Sequence, residues 1–253
     1  MENTSSKIKG FVWVAVACVV SLVFVFGLSP LAHVIPWSWE KKLANVFNSS
    51  SKEIYRDDSQ AQVIFQKLVH RIYPVNSNDQ AFSIDVQINK SQTVNAYAEL
   101  GGKIFINSAL INQAESPEEI AGVLAHEIEH VRHRHVLEGV ITYFFTAEGM
   151  SMIFSGGQSS FSSLAEYFFK MNFSRTQEAM ADKEALLRLQ KAHVNNQGFK
   201  NFFKRIGKSS LASIFISDHP ANQARLAMAD GFNNNDVKPI LTASEWEILK
   251  NIN

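Results

Sequence analysis

The sequence predicts a mainly helical α+β fold with a small β-sheet, preceded by one N-terminal transmembrane helix. Three observations lead to this fold class. A long uncharged run lies near the N-terminus, strand-like patterns lie between residues 82 and 111, and helical signals dominate from residue 116 onward. With 253 residues, the chain is long enough for one domain of moderate size beside a membrane segment.

Charge and cysteine content limit the possible partners and metal ligands. Lys plus Arg and Asp plus Glu both total 24, so no basic excess favours nucleic acid, and we expect no nucleic-acid partner. Cys18 is the only cysteine, which excludes an intramolecular disulfide and a cysteine-rich metal site. A metal ion would therefore be held by histidine and carboxylate.

The N-terminal run predicts a membrane anchor. Residues 11–39 contain no Asp, Glu, Lys or Arg. About 20 apolar residues cross a hydrocarbon core of roughly 30 Å, and Pro30 and Pro36 would end the helix. We therefore divide the chain into a tail (1–10), an anchor in contact with membrane lipid (11–35), a connection that is exposed or a frayed helix (36–60) and a domain (61–253).

Two other interpretations of this run are a cleaved signal peptide and a lipoprotein signal that ends at Cys18. The run is long for a signal peptide, and its small residues Gly27 and Ser29 are followed directly by Pro30. A lipoprotein would turn polar after Cys18, whereas this chain stays apolar. We therefore favour the uncleaved anchor.

The flanks of the run carry only a weak orientation signal. Lys7 and Lys9 precede it, but Lys41 and Lys42 follow it. We expect a single-pass membrane protein with its N-terminus in the cytosol. The domain would then lie on the extracytoplasmic side, which is the periplasm in a Gram-negative bacterium.

The first part of the domain combines a helix with strands. Residues 61–73 (AQVIFQKLVHRIY) have apolar positions near helical spacing. Residues 82–91 alternate apolar and polar side chains, and residues 94–111 (VNAYAELGGKIFINSALI) contain two short runs separated by two glycines. This pattern predicts a strand followed by a β-hairpin.

The helical part begins at Ser116. Ser116 suits the N-cap, Pro117 the first turn, and Glu119 the partner position of a capping box. Farther along, residues 143–173 are rich in phenylalanine and poor in charge, with a Gly/Ser turn at 155–157. We expect two helices packed over the core there, the alternative being a hairpin that dips into the membrane or captures substrate.

A histidine–glutamate–histidine motif lies on this first helix. In LAHEIEHVRHRH, His126 and His130 are four residues apart, so they share a helix face with Cβ atoms about 5–6 Å apart. Both imidazoles can bind one ion, and Glu127 can reach a water on it. Zinc with three protein ligands lowers the pKa of water to about 7, and Glu127 is the expected general base. Chance occurrence on a charged helix is the alternative, but the apolar residues before His126 place the motif at a core.

The third ligand has to come from another segment. Metzincins have glycine at the position of His133 and histidine at that of Val136, so this class is excluded. His133 itself lies about 10 Å along the helix axis from His126, which is too far to share one tetrahedral ion.

A second acidic helix offers candidates. In SRTQEAMADKEAL, Glu178 and Asp182 are four residues apart. One carboxylate could bind the metal while the other accepts a ring N–H from a ligand histidine. By spacing alone, Glu166 and Glu184 are equally eligible, and the helix could be a solvated charged surface.

Four segments in this order resemble the family-48 metallopeptidases, the HtpX-like, Oma-like and CAAX prenyl protease-like enzymes. They are VNAYAELGGKIFINSALI, LAHEIEHVRHRH, SRTQEAMADKEAL and SDHPANQARLAMA, and the resemblance covers about two thirds of the chain. It implies a zincin-like domain of the gluzincin type with one Zn²⁺ per chain. The glutamate of the ExxxAD element completes the family's zinc site, which corresponds to Glu178, with Asp182 as its acidic neighbour. Arg134 and His135 match the usual end of the active-site helix.

The resemblance also implies roles for residues outside the metal site. Asn95 and Ala96 correspond to the edge strand beside the zinc, where an extended substrate could pair, although they could be ordinary hairpin residues. His219 and Arg225 would approach the active site and stabilise an oxyanion. Alternatively, His219 occupies the open zinc position at rest, and Arg225 forms an ion pair near a helix start.

These inferences predict a membrane-anchored zinc-dependent endopeptidase. We expect polypeptide substrates, in particular misfolded membrane or envelope proteins, and a role in protein quality control. A zinc-stabilised, chaperone-like binding module without proteolysis is the main alternative, although such a module has no use for Glu127 as a general base. A purely structural membrane protein would bind no metal.

Overall fold

The computed structural model describes a mainly helical protein with one small sheet. The described residues are 27, 29–48, 59–74, 83–146, 171–206, 215, 217, 219, 223–232 and 236–252. Residues 11–26 of the predicted anchor, including Cys18, and residues 147–170 of the phenylalanine-rich segment lie outside them. Within these ranges, no helix combines the length and the apolar character that crossing a membrane requires.

The helices in the described ranges are α1 (Ser29–Val34), α2 (Trp37–Asn48), α3 (Ser59–Ile72), α4 (Ser108–Gln113), α5 (Pro117–Arg132), α6 (His135–Phe144), α7 (Arg175–Lys191), α8 (Gln197–Ile206), α9 (Gln223–Asp230) and α10 (Ala243–Lys250). The strands are β1 (Asp85–Asn89), β2 (Ala96–Glu99) and β3 (Lys103–Asn107). The predicted mainly helical α+β class is therefore confirmed, and the transmembrane helix stays a prediction.

The sheet has the order β1-β3-β2. β1 runs parallel to β3, and β2 pairs antiparallel with β3 through a 3₁₀ turn at Leu100–Gly102. Gly101 and Gly102 have φ values of 79° and 87°, which glycine adopts without strain. The predicted hairpin is thus confirmed, and β2 forms one edge of the sheet.

Helix α5 runs through the core and begins where its caps predict. The Ser116 hydroxyl accepts the backbone N–H of Glu119 at 3.3 Å. The Glu119 carboxylate, however, accepts the N–H of Glu115 at 3.0 Å instead of that of Ser116, so the capping box is not reciprocal. Every residue from 119 to 131 is buried, because α5 packs against α7, α8 and β2.

Helix α8 approaches the start of α5 very closely. A Cβ at Gly198 would lie 2.5 Å from the carbonyl carbon of Glu118, so only glycine allows this contact. Beyond this contact, phenylalanine rings from α8 and from residue 215 pack together in the core: Phe199, Phe202, Phe203 and Phe215.

Helix α2 occupies part of the segment that we expected to be an exposed connection or a frayed helix. Its Glu40 and Ala44 are each only 3% exposed. A Cβ at Gly101 would lie 2.8 Å from the Ala44 Cβ, so α2 lies directly on the turn after β2. A packed helix therefore precedes the domain boundary that we predicted at residue 61, because one face of α2 carries small and buried side chains.

Candidate metal centre

Four buried side chains converge in the interior. His126 and His130 come from α5, Glu178 comes from the first turn of α7, and His219 precedes α9. One potential ligand atom from each residue lies within 4.8 Å of the others. The three histidines are at most 1% exposed and Glu178 is 5% exposed. We refer to these four residues as the ligand cluster.

The local fold explains why these atoms meet. One helical turn separates His126 from His130, which brings their Nε2 atoms to 3.0 Å. A capping box at Ser174 starts α7 just before Glu178. The Glu178 Oε1 atom lies 3.2 Å from His130 Nε2, and its Oε2 atom lies 3.6 Å from His126 Nε2. Bonds of about 2.0–2.1 Å to a tetrahedral ion separate the ligand atoms by similar distances, so the donor set fits zinc.

The second nitrogen of each α5 histidine also faces a specific group. The His126 Nδ1 atom lies 2.9 Å from Asp182 Oδ1, and the His130 Nδ1 atom lies 3.0 Å from His135 Nδ1. When these outer nitrogens carry the protons, both Nε2 atoms present lone pairs to the cluster. Such an arrangement suits a cation.

Electrostatics support the same protonation states. Burial lowers the pKa of His130 well below its usual range, and it lowers the pKa of His135 to about 3, so both imidazoles are neutral at pH 7. Burial alone would raise the pKa of Glu178. The neighbouring His219 and His126 outweigh that effect and lower it, so Glu178 is a carboxylate.

His219 lies within the cluster and also faces Glu127. Its Nδ1 atom is 3.1 Å from both His126 Nε2 and Glu178 Oε1. Its Nε2 atom is 3.5 Å from Glu127 Oε1. Burial would lower the pKa of His219, but Glu127 and Glu178 raise it to about 9. Of the two roles predicted for His219, this position corresponds to a fourth donor at rest.

Glu127 is fully buried at the rim of the cluster. It follows His126 on α5, so its side chain leaves the helix about 100° away from that of His126. The contact with His219 shows that it reaches the same space that the ligands enclose. A carboxylate there can exchange a proton with a group at the metal.

Arg225 contacts the carboxylates behind the cluster. Its Nε donates to Asp182 Oδ2 at 2.6 Å, its Nη2 donates to Glu178 Oε2, and its Nη1 donates to the carbonyl oxygen of His219 at 3.4 Å. The guanidinium also lies 4.1 Å from the centre of the Phe203 ring. These contacts match the ion-pair interpretation of Arg225, and its predicted role at an oxyanion stays a prediction.

Asn95 and Ala96 lie at the start of the edge strand, and both are buried. The Asn95 carbonyl oxygen accepts the N–H of Asn107 at 3.0 Å. The Asn95 side chain accepts the N–H of Ala96 at 3.0 Å. β2 packs against α5, which carries two of the ligands. Pairing of a substrate with this edge stays a prediction.

The predicted sequence motifs are also those of a known family. The model of peptidase family M48 matches residues 57–232. This chain belongs to peptidase family M48. The family supports the assignment as a metallopeptidase, and His126, His130, Glu178 and His219 lie within the matched range.

Known M48 relatives are distant but numerous. The chain is 26% identical to mitochondrial metalloendopeptidase OMA1 of Arabidopsis thaliana over 61% of this chain and 33% of that protein. It is 25% identical to the beta-barrel assembly-enhancing protease of Yersinia pestis, over 69% and 39%. It is 26% identical to metalloprotease LoiP of Escherichia coli, over 60% and 63%. The matched regions thus cover less than two thirds of each of these relatives.

Two further residues of this M48 peptidase touch the metal ligands without having been predicted to do so. His135 contacts His130, and the Phe173 ring stacks on His130 with ring centres 3.9 Å apart. The sequence indicated only that His135 matches the family's usual helix ending. Both residues also line a neighbouring cavity of about 740 Å³, whose walls include none of the four cluster residues.

Proposed function

We propose that this chain is a zinc-dependent endopeptidase that hydrolyses internal peptide bonds. The observation that carries the proposal is a buried set of His126, His130 and Glu178 with Glu127 beside it. In this proposal, each ligand histidine is oriented by a specific partner at its outer nitrogen, as catalytic zinc sites require. A structural zinc site would need no such neighbouring carboxylate.

The mechanism assigns one task to each side chain. His126, His130 and Glu178 hold the zinc ion, which supplies a Lewis acid and lowers the pKa of water to about 7. Glu127 accepts a proton from the attacking water and delivers it to the amine that leaves. His219 has to move away from the cluster before a peptide carbonyl can enter, which assigns its present position to a resting state.

Location and substrates follow from the sequence and from the relatives. We assign residues 11–35 to a single membrane anchor and the peptidase domain to the extracytoplasmic side. One relative is named a beta-barrel assembly-enhancing protease, and another is a mitochondrial metalloendopeptidase. Both names agree with our proposal of protein quality control that acts on misfolded membrane or envelope proteins.

Casein hydrolysis by the full chain in detergent tests the enzymatic part. We expect Glu127→Gln to lower kcat at least 100-fold while zinc stays bound in a 1:1 ratio, because only the proton acceptor is lost. Glu247→Gln is the matched control, since Glu247 is exposed on α10 and the chemical change is the same. Equal rates for Glu127→Gln and the parent chain would refute the mechanism.

The same preparation separates the alternative function. Stoichiometric zinc combined with tight binding of unfolded polypeptides, but no cleavage by the parent chain, would favour the chaperone-like module. Absence of zinc would favour a structural protein. Comparing the proteins that accumulate in cells with Glu127→Gln against those with the parent chain would identify the substrate class.

A further inference from the structure

A buried ion pair joins the N-terminal helix α2 to the end of the active-site helix. Glu40 of α2 is 3% exposed, and Arg134, two residues after α5, is 6% exposed. The Arg134 Nε and Nη2 atoms donate to Glu40 Oε2 at 3.1 Å and 2.8 Å. The other carboxylate oxygen accepts the N–H of Gly101 at 3.0 Å. One carboxylate therefore connects α2, the end of α5 and the turn after β2.

Further contacts fix the Arg134 side chain. Its Nη1 donates to the carbonyl oxygen of Ile35, and its guanidinium lies 4.3 Å from the centre of the Trp37 ring. Both partners precede residue 57, where the match to the family model begins. The N-terminal segment thus surrounds this guanidinium on several sides.

The backbone at Arg134 has an unusual conformation. Its φ of 58° lies in the left-handed region, which L-residues with long side chains rarely adopt. This conformation separates α5 from α6 and directs the next residue, His135, back toward α5. The contacts of the Arg134 side chain stabilise a turn that its backbone alone would not favour.

The turn determines where His135 lies, and His135 faces a predicted metal ligand. The His135 Nδ1 atom is 3.0 Å from His130 Nδ1, while the His130 Nε2 atom points into the ligand cluster. The contacts therefore run in sequence from Glu40 through Arg134 and His135 to His130.

We propose that Glu40 is a positioning residue for the metal ligand His130, and that α2 is part of the catalytic unit. The inference rests on the proposed function in that it takes His130 as a zinc ligand. A purely structural role predicts that loss of Glu40 lowers stability only. A positioning role predicts that the metal site changes as well.

Zinc affinity and the cobalt absorption spectrum of the full chain distinguish these roles. Glu40→Gln keeps the size of the side chain but removes its charge. We expect about a tenfold weaker affinity for zinc in competition with a chelator, together with altered d–d bands after cobalt substitution. Glu119→Gln is the matched control, because Glu119 is also buried and paired with an arginine, Arg205, but does not touch His135.

Arg134→Gly provides a second variant if Glu40→Gln does not fold. Glycine suits the positive φ, so the turn is retained while the guanidinium is lost. We expect the same changes in zinc affinity and cobalt spectrum. If the folded variant matches the parent chain in both measurements, the positioning role is wrong. Because neither measurement needs proteolysis, this failure differs from that of the proposed function, which an inactive or zinc-free parent chain would reveal.

Discussion

Individual side chains around the cluster determine the protonation of its donors. Asp182 faces the outer nitrogen of His126 and also pairs with Arg225. A carboxylate at this position holds the imidazole in the tautomer whose Nε2 can bind a cation. The same carboxylate balances the charge of the buried guanidinium.

Asp182→Asn tests this arrangement. We expect zinc affinity to fall about 10- to 100-fold, because the amide keeps the shape but loses the charge. Competition with a chromophoric chelator measures the change. Asp230→Asn is the control, since Asp230 is exposed and pairs only with Lys200 among the described residues. An unchanged affinity of Asp182→Asn would show that this carboxylate does not orient His126.

The same residue scale explains the limits of sequence reasoning. Helical spacing was sufficient to pair His126 with His130, because both lie on one face of one helix. Spacing could not choose Glu178 over Glu184, which lie six residues apart on the same helix; the resemblance made that choice. Glu40 was missed because its partner lies 94 residues away, and no local pattern encodes such a contact.

Among the secondary-structure elements, strand β2 ends with an unusual acid. Glu99 faces Lys103 across the hairpin, and burial raises its pKa to about 7 although Lys103 opposes the shift. Because this folded-state pKa is above the unfolded value of 4.5, folding favours the protonated form. The contribution of Glu99 to stability is therefore present below pH 4.5 and is lost as the pH rises to about 7.

Glu99→Gln should consequently be more favourable at high pH than at low pH. From pH 4.5 to pH 8 we expect the free energy of unfolding of the variant to gain roughly 1–3 kcal/mol relative to the parent chain. Urea unfolding of both proteins at the two pH values measures this difference. Glu247→Gln, an exposed exchange, should give a difference that is independent of pH, and the same result for Glu99→Gln would contradict the argument.

At the element scale, capping signals predicted the start of α5 and two glycines predicted the hairpin, since both depend on residues within a few positions. The packing of α2 was not predicted. Its polar sequence resembles a linker, and the contact of Ala44 with Gly101 exists only in the folded chain.

Within the whole molecule, the ligand cluster joins segments that are far apart in sequence. α5, α7 and residue 219 each contribute at least one donor. A metal that binds only the folded state stabilises it by about 2.7–4.1 kcal/mol at 100 to 1,000 times its Kd. Removal of zinc with a chelator should therefore lower the Tm by about 5–15 °C for a chain of this size.

A thermal scan with and without chelator checks this expectation. His130→Gln serves as the control, because a chain without the site should show no chelator-dependent shift. An equal Tm of the parent chain in both conditions would mean that its fold is independent of the metal.

The same cluster has a consequence for the lifetime of the protein. The His126–His219 contact closes a segment of 93 intervening positions, much as a covalent crosslink would. When the ion leaves, that segment gains conformational freedom, and the opened chain becomes a substrate for other proteases. Scarcity of zinc would then reduce the amount of the enzyme in the cell as well as its activity.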